Sequence, residues 1–447
     1  MKKMILSAFA ALLLAVPAVQ AQKVNKSALL SKIEKSNADI ADAKKAAKAN
    51  TWLERGKAFF EAVSAPTKDL FGGMEASLMT MQLGAPESQG PETLGGRTYE
   101  AYVYPYFTAY FLDGRLAAWK ETKQVVKNGV DLAFEAYQTA YDLDPKTAPK
   151  VKAGIELLVN YIAQLGDVSY TTQNFALAGE SFAKCYEMGK HPAVNNAEAQ
   201  LLYNAGVSMT VDGGMQHPES FVKGAEYLKE AIDAGYADDE GNIYYYLFHC
   251  YYGQRETNPD ALMLAKDTLL KGVEKYPSNE QIINSLTQLY TSEEGVGDPS
   301  DLIALFDNAL AANPNNIDLW FGRGRTFYAL KNFDESIASF QKVVELKPDL
   351  FDGYYYLGLF YILKGDDANQ TFNEKTFTRQ ADYDAGLAEV NAIYMQAVPV
   401  LEKALELNPT NRDTVNNLKQ LCFRLRDEEG MMEKYNKYNE MLNQMSE

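Results

Sequence analysis

The sequence predicts an all-α protein, a superhelical solenoid of antiparallel helix pairs, and three observations predict it. A composite pattern of a large residue, a small pair, an aromatic, a second spaced apolar set and a closing proline recurs along the chain. Within each copy the apolar residues fall three and four apart, the spacing of one helix face. The chain has 447 residues, more than one hydrophobic core usually serves, so an array accounts for its length better than a single globule.

The elements follow in order. Lys2 and Lys3, an apolar stretch from Ile5 to Ala18, and Val19-Gln20-Ala21 have the build of a cleavable secretory signal, residues 1–21. Its apolar run is shorter than the roughly 20 residues of a spanning helix. No cysteine stands at the cleavage point to take a lipid. Export by a cleavable signal, to a periplasm or beyond the cell, is therefore expected. Residues 22–49 read as a leading helix, Ala- and Lys-rich from Ala38 to Lys48.

The first repeat, residues 50–146, is split. Trp52, Arg55-Gly56 and Phe59 open it, while Ala133, Tyr137, Ala140 and Pro145 close it. Between them, about residues 66–121, the pattern stops. Pro66, Gly72-Gly73, Pro86, Gly90-Pro91 and Gly95-Gly96 punctuate a loop-like half. Tyr102, Tyr104, Tyr106 and Tyr110 then alternate with apolar residues, a strand signal, and Asp113-Gly114 signals a small β-hairpin that returns through Leu116 to Trp119. Pro105 would confine the strand to an edge. The four tyrosines would form an exposed contact face, or the hairpin would cap the solenoid.

Five units fill residues 152–350. Ile162, Leu165-Gly166, Ala178, Phe182 and Cys185 form the first of them, and Leu202, Ala205-Gly206, Met209, Gly224, Leu228 and Ala231 the second. Tyr244, Leu247 and Tyr251 pair with Ala265, Leu269, Gly272 and Pro277; Ile283, Leu286 and Tyr290 pair with Leu302, Phe306, Ala309 and Pro314. The clearest unit runs from Ile317 through Trp320, Arg323-Gly324, Phe327, Ser336, Phe340 and Val343 to Pro348. Residues 351–411 hold a seventh, with Tyr354, Leu357-Gly358, Tyr361, Ala397, Leu401, Ala404 and Pro409 around an inserted segment at about 365–390. Residues 412–447 keep the spacing but lose the closing proline, as a capping helix pair would.

In these residues the chain resembles the tetratricopeptide repeat (TPR) family, of exported bacterial type, whose unit of about 34 residues reads W-x2-L-G-x2-Y…A-x3-F…P. The resemblance implies helix pairs stacked edge to edge, with the first helix of each pair lining a concave groove for peptide ligands. On that face Tyr203, Tyr245, Phe321 and Tyr355 hold one matching position, and Phe60, Tyr170, Tyr252 and Tyr328 hold another two turns on. Some family members carry a lysine–asparagine–arginine clamp for a terminal carboxylate; here Lys57 and Arg325 read as standing without asparagine partners.

The formal charge is −17, or −19 once Lys2 and Lys3 leave with the signal, which opposes binding to nucleic acid or to an anionic membrane surface. Cys185, Cys250 and Cys422 are far apart and odd in number, so buried free thiols are expected in place of a disulfide framework. The three histidines, His191, His217 and His249, share no ligand spacing, and no phosphate loop, metal-protease pair, nucleophile elbow or calcium loop occurs. No catalytic residue, cofactor or metal is expected. The reading is a non-catalytic scaffold or adaptor binding protein or peptide partners in the cell envelope through an aromatic groove. The alternative is a glycan-binding protein of outer-membrane nutrient uptake.

Overall fold

The computed structural model describes residues 24–215, 217–277 and 279–445. The expected signal, residues 1–21, lies outside the described residues. The chain divides into two compact units, one ending at Tyr236 and one starting at Ala237.

The N-terminal unit opens with α1 (Lys26–Ala41) and α2 (Ala43–Ala46), then α3 (Ala49–Ser64). The expected single leading helix is interrupted at Asp42, whose backbone is extended and whose carboxylate caps α2 by accepting from the N–H groups of Lys44 and Lys45. An insertion follows, with α4 (Ala76–Leu83) and strands β1 (Ser88–Leu94), β2 (Arg97–Val103), β3 (Phe107–Leu112) and β4 (Arg115–Glu121). Helix α5 (Gly129–Leu143) closes the first pair on α3, and α6 (Ala148–Thr171) with α7 (Phe175–Gly189) and α8 (Ala199–Gly214) with α9 (Ser220–Asp233) make two more.

The C-terminal unit pairs α10 (Asn242–Gly253) with α11 (Ala261–Lys275), then α12 (Glu280–Ser292) with α13 (Pro299–Ala312). Next come α14 (Ile317–Ala329) with α15 (Phe333–Leu346), and α16 (Phe351–Asn373) with α17 (Gln380–Leu407). A final pair, α18 (Arg412–Arg424) and α19 (Met431–Gln444), stands where a cap is expected.

One contact explains why these sequences form pairs. A Cβ placed on Gly56 would lie 2.6 Å from Tyr137, on Gly166 2.8 Å from Phe182, and on Gly206 2.4 Å from Leu228. In the second unit the same holds for Gly324 at 2.6 Å from Phe340 and Gly358 at 2.5 Å from Leu401. A bare backbone on the first helix thus receives one large side chain from the second. Tyr137, Phe340 and Leu401 are buried there. Each such plug removes apolar surface from water, worth about 1.5–3 kcal/mol for a fully buried large side chain.

Asparagine caps tie successive pairs together in the C-terminal unit. Asn279 and Asn316 accept backbone N–H groups at the starts of α12 and α14. Their amide nitrogens reach back to carbonyls of the preceding repeat, Glu240 at 2.7 Å and Pro277 at 2.8 Å. One side chain therefore satisfies orphan donors of its own helix and a turn carbonyl of its neighbour.

The insertion is a four-stranded antiparallel meander, order β1-β2-β3-β4, which contains the expected hairpin as β3–β4 about Asp113-Gly114 and adds β1 and β2 to it. Gly95-Gly96 and Asp113-Gly114 each take positive φ at both turn residues, which makes two tight hairpin turns where one was expected. Tyr102 to Phe111 is not one edge strand. The strand breaks around Pro105, whose ring nitrogen has no hydrogen to donate, and Tyr104 N–H closes the turn on the Phe107 carbonyl at 2.8 Å. The break reverses the chain, so the tyrosines do not share an exposed face. Tyr104 and Tyr110 are buried, while Tyr102 and Tyr106 are half-buried. One sheet face packs Phe107, Ala109, Phe111, Leu116 and Trp119 on Leu70, Met74, Met79 and Val168 of α6.

The second insertion is also helical. Residues 365–390 lengthen α16 and α17, leaving only 374–379 between them. Asp366, Asp367, Thr371, Asn373 and Asp384 are exposed on these helices, while Phe372, Val390 and Tyr394 supply an inner stripe. Gly365 receives the Tyr394 ring, whose hydroxyl donates to Asp366 at 2.6 Å.

Candidate functional site

Helix α6 shows how the sequence makes a site. Ile155, Leu158 and Ile162 are buried in the core of the pair. The opposite stripe, Leu157, Asn160, Tyr161 and Gln164, follows the same helical spacing but lines a cleft of about 1140 Å³. Phe60, Glu61 and Ser64 of α3 form its second side, α1 contributes Leu29 and Lys32, and the β2–β3 turn, Tyr104 to Phe107, walls one end. Leu157 is 50% exposed there, an aliphatic side chain on a surface that packing alone does not require to be apolar.

The charges of this cleft are nearly self-neutralised. Lys32 pairs with Glu61, and Lys68 lies 3.0 Å from Asp69. Glu87 lines the same wall with no ion-pair or side-chain hydrogen-bond partner among the described residues. Behind the cleft, Tyr161 donates its hydroxyl to Glu121 at the end of β4, 2.7 Å, fastening the sheet to α6. Burial holds the Glu121 carboxyl above its ordinary value, against the opposing hydrogen bonds from Tyr161 and Thr67. Burial likewise raises the Tyr161 hydroxyl.

The aromatic rows expected from the sequence all fall on first helices of their pairs. In the N-terminal unit Tyr203 stacks on Tyr236 at 4.5 Å, Phe60 meets Tyr161 edge-on at 6.5 Å, and Tyr170 meets Phe175 at 5.0 Å. In the C-terminal unit Tyr245 packs on His249 at 4.4 Å, and Tyr252 lies under Arg255 with its hydroxyl on Glu293. Phe321 sits between Phe340 and Tyr356, and Tyr355 against Phe351 and Tyr356. These rings are half-buried in seams between helices and keep one side at the surface. Tyr328 is the most open, 44% exposed while stacked on Phe360. Phe321 thus contributes to the seam as well as to the face.

Other candidates resolve into structure. Arg325 is not alone, since Asn284 lies 3.5 Å away, while Lys57 is held by Glu54 at 2.8 Å. His217 and Ser220 both bond Asp212, at 3.2 and 2.6 Å, which anchors the start of α9. Burial holds the His249 imidazole below its usual value among its aromatic neighbours. Cys185, Cys250 and Cys422 are buried. Among the described residues no group of three His, Cys, Asp or Glu side chains could hold a metal ion, and no helix is long and apolar enough to cross a membrane.

Leu157, Asn160, Gln164 and Glu87 escaped the reading of the sequence. The helical spacing of the first three was available as a signal, but the cleft they line exists only once α1, α3 and the β2–β3 turn are folded against α6.

A fold of stacked helix pairs with a glycine at each named crossing defines a repeat protein of the solenoid class. Comparison is consistent with the kind of repeat: the family model described as TPR repeat matches residues 324–365, from the end of α14 through α15 into α16. The fold is that of a TPR solenoid carrying a small antiparallel sheet near its N-terminus. Similar solved structures include the C-terminal part of a TPR repeat-containing protein from Cytophaga hutchinsonii, 14% identical, with 63% of this chain and 94% of that one covered and a TM-score of 0.41. A TPR repeats protein from Bacteroides fragilis is 17% identical, with 59% and 97% covered and a TM-score of 0.32. No curated protein matches the sequence.

Proposed function

We propose that this chain is a non-catalytic scaffold of the cell envelope that binds protein partners through the aromatic faces of its first helices. The fold itself suggests a protein-interaction scaffold. The observation that carries the reading further is the placement of Tyr245, Tyr252, Tyr328 and Tyr355. These side chains recur on first helices of the C-terminal unit and stay partly open. Open tyrosines offer rigid contact area and a hydroxyl, the composition of binding hot spots.

Export is part of the proposal and rests on the signal-like composition of residues 1–21. Mass spectrometry of the exported protein should find a chain starting at Gln22, and an intact Met1 or an attached lipid would reject it. For binding, the chain is crosslinked in the native envelope alongside a Tyr245→Ala/Phe321→Ala/Tyr355→Ala variant. Loss of the captured partner with folding retained supports the scaffold; undiminished capture removes the aromatic face from the account.

A further inference from the structure

We propose that the cleft of the N-terminal unit binds an extended polypeptide segment in which an apolar side chain stands beside a basic one. The inference rests on the protein-binding reading and names a second site with its own chemistry. At about 1140 Å³ the cleft is roomy enough for several residues of an extended chain.

Its chemistry selects among polymers. Asn160 and Gln164 each bring an amide donor and acceptor, and neither has a hydrogen-bond partner among the described residues. Paired donors and acceptors match the alternating N–H and C=O groups of an extended backbone. The open apolar surface is the aliphatic Leu157, which suits a side chain more than the face of a sugar ring. Two rings of the β2–β3 turn already have neighbours. Tyr104 is stacked on Phe107 at 5.1 Å, and Lys123 lies 5.9 Å over the Tyr106 ring.

Charge sets the last feature. Both lysines of the wall are occupied, Lys32 by Glu61 and Lys68 by Asp69, so an acidic segment or terminal carboxylate finds no free cation. Glu87 is the one wall charge left without a partner among the described residues, and it favours a lysine or arginine.

The test is affinity selection of a randomised octapeptide library on the full chain, repeated with Glu87→Gln, Asn160→Ala and Leu157→Ala. All three positions are exposed, and unchanged melting verifies each fold. Recovered sequences should carry an apolar residue next to Lys or Arg. Resynthesised peptides should lose about fivefold or more in affinity on Asn160→Ala or Leu157→Ala. The preference for Lys over Gln should shrink to within about twofold on Glu87→Gln. Acid-rich selections, no enrichment, indifference to Asn160→Ala, or displacement of the peptide by a linear oligosaccharide would overturn the proposal. Any of these, with capture through Tyr245, Phe321 and Tyr355 intact, fails the cleft alone; loss of that capture effect with peptide selection intact fails the aromatic face alone.

Discussion

Gly324 lies so close beneath Phe340 that a Cβ on the glycine would stand 2.6 Å from the ring. Phe340 is fully buried at the centre of this crossing, so the ring has nowhere to retreat. Gly324→Ala should therefore destabilise the C-terminal unit by about 1–3 kcal/mol, the usual cost of overpacking. Gly72 has nothing within 4 Å of the added atom, and Gly72→Ala should stay within about 0.5 kcal/mol of the wild type. Urea titration of both variants checks the contrast, and equal stabilities would show that the crossing yields.

The two pattern tryptophans make the same bond. Trp52 and Trp320 each donate the indole N–H to a carbonyl six residues upstream, Ala46 and Pro314, both at 2.8 Å. The structure leaves them half-buried, clipping the first helix to the turn before it. Trp320→Phe keeps much of the packing and loses the donor, which should cost about 1 kcal/mol for the bond. A loss several times larger by thermal melting would place Trp320 in the core.

How much was legible follows from the physics of each segment. Gly56, Gly166, Gly206, Gly324 and Gly358, with their partners Tyr137, Phe182, Leu228, Phe340 and Leu401, stood in the sequence in the order in which the structure brings them together. Gly166, Gly206 and Gly324 meet their partners at short separation, so periodicity exposes them, and the same residue types mark the two pairs that insertions split. The meander did not show, because β1 carries Gly90 and Pro91 and reads as loop until a neighbouring strand pairs with it. The lengthened α16 and α17 were hidden by polar residues that helices carry on outer faces. The cleft was least legible, since Leu157 and Glu87 lie far apart in sequence and share a wall only once the insertion has folded.

Glu121 gives a pH signature. Its carboxyl sits above its ordinary 4.5 because it is buried, so the folded state holds the proton more tightly than the unfolded one. That contribution to stability is full below about 4.5 and is lost as pH rises through the folded value. Glu121→Gln keeps an oxygen for the Tyr161 hydroxyl and removes the charge. Relative to the variant, the wild type should lose stability as pH rises from 4.5 towards neutrality in denaturant titrations. A difference that does not change with pH would mean that Glu121 is not held above its ordinary value.

The thiols should be slow. Burial pushes Cys185 up to about 12 and Cys422 up to about 11, and Cys250 is fully buried. Since the thiolate is the reactive form, alkylation of the native protein near pH 8 should be negligible over minutes and become complete in denaturant. Rapid native labelling at any of the three sites would contradict this burial.

The scaffold reading meets its most direct test at Tyr328, which is 44% exposed and so tolerates replacement by a photo-crosslinking phenylalanine derivative. Irradiation in the native envelope should join position 328 to one defined segment of a partner protein. The same probe at Glu345, exposed on the second helix of that pair, should join nothing. Crosslinking at position 345 but not at 328, or at neither, would contradict a partner-binding face built from the first helices.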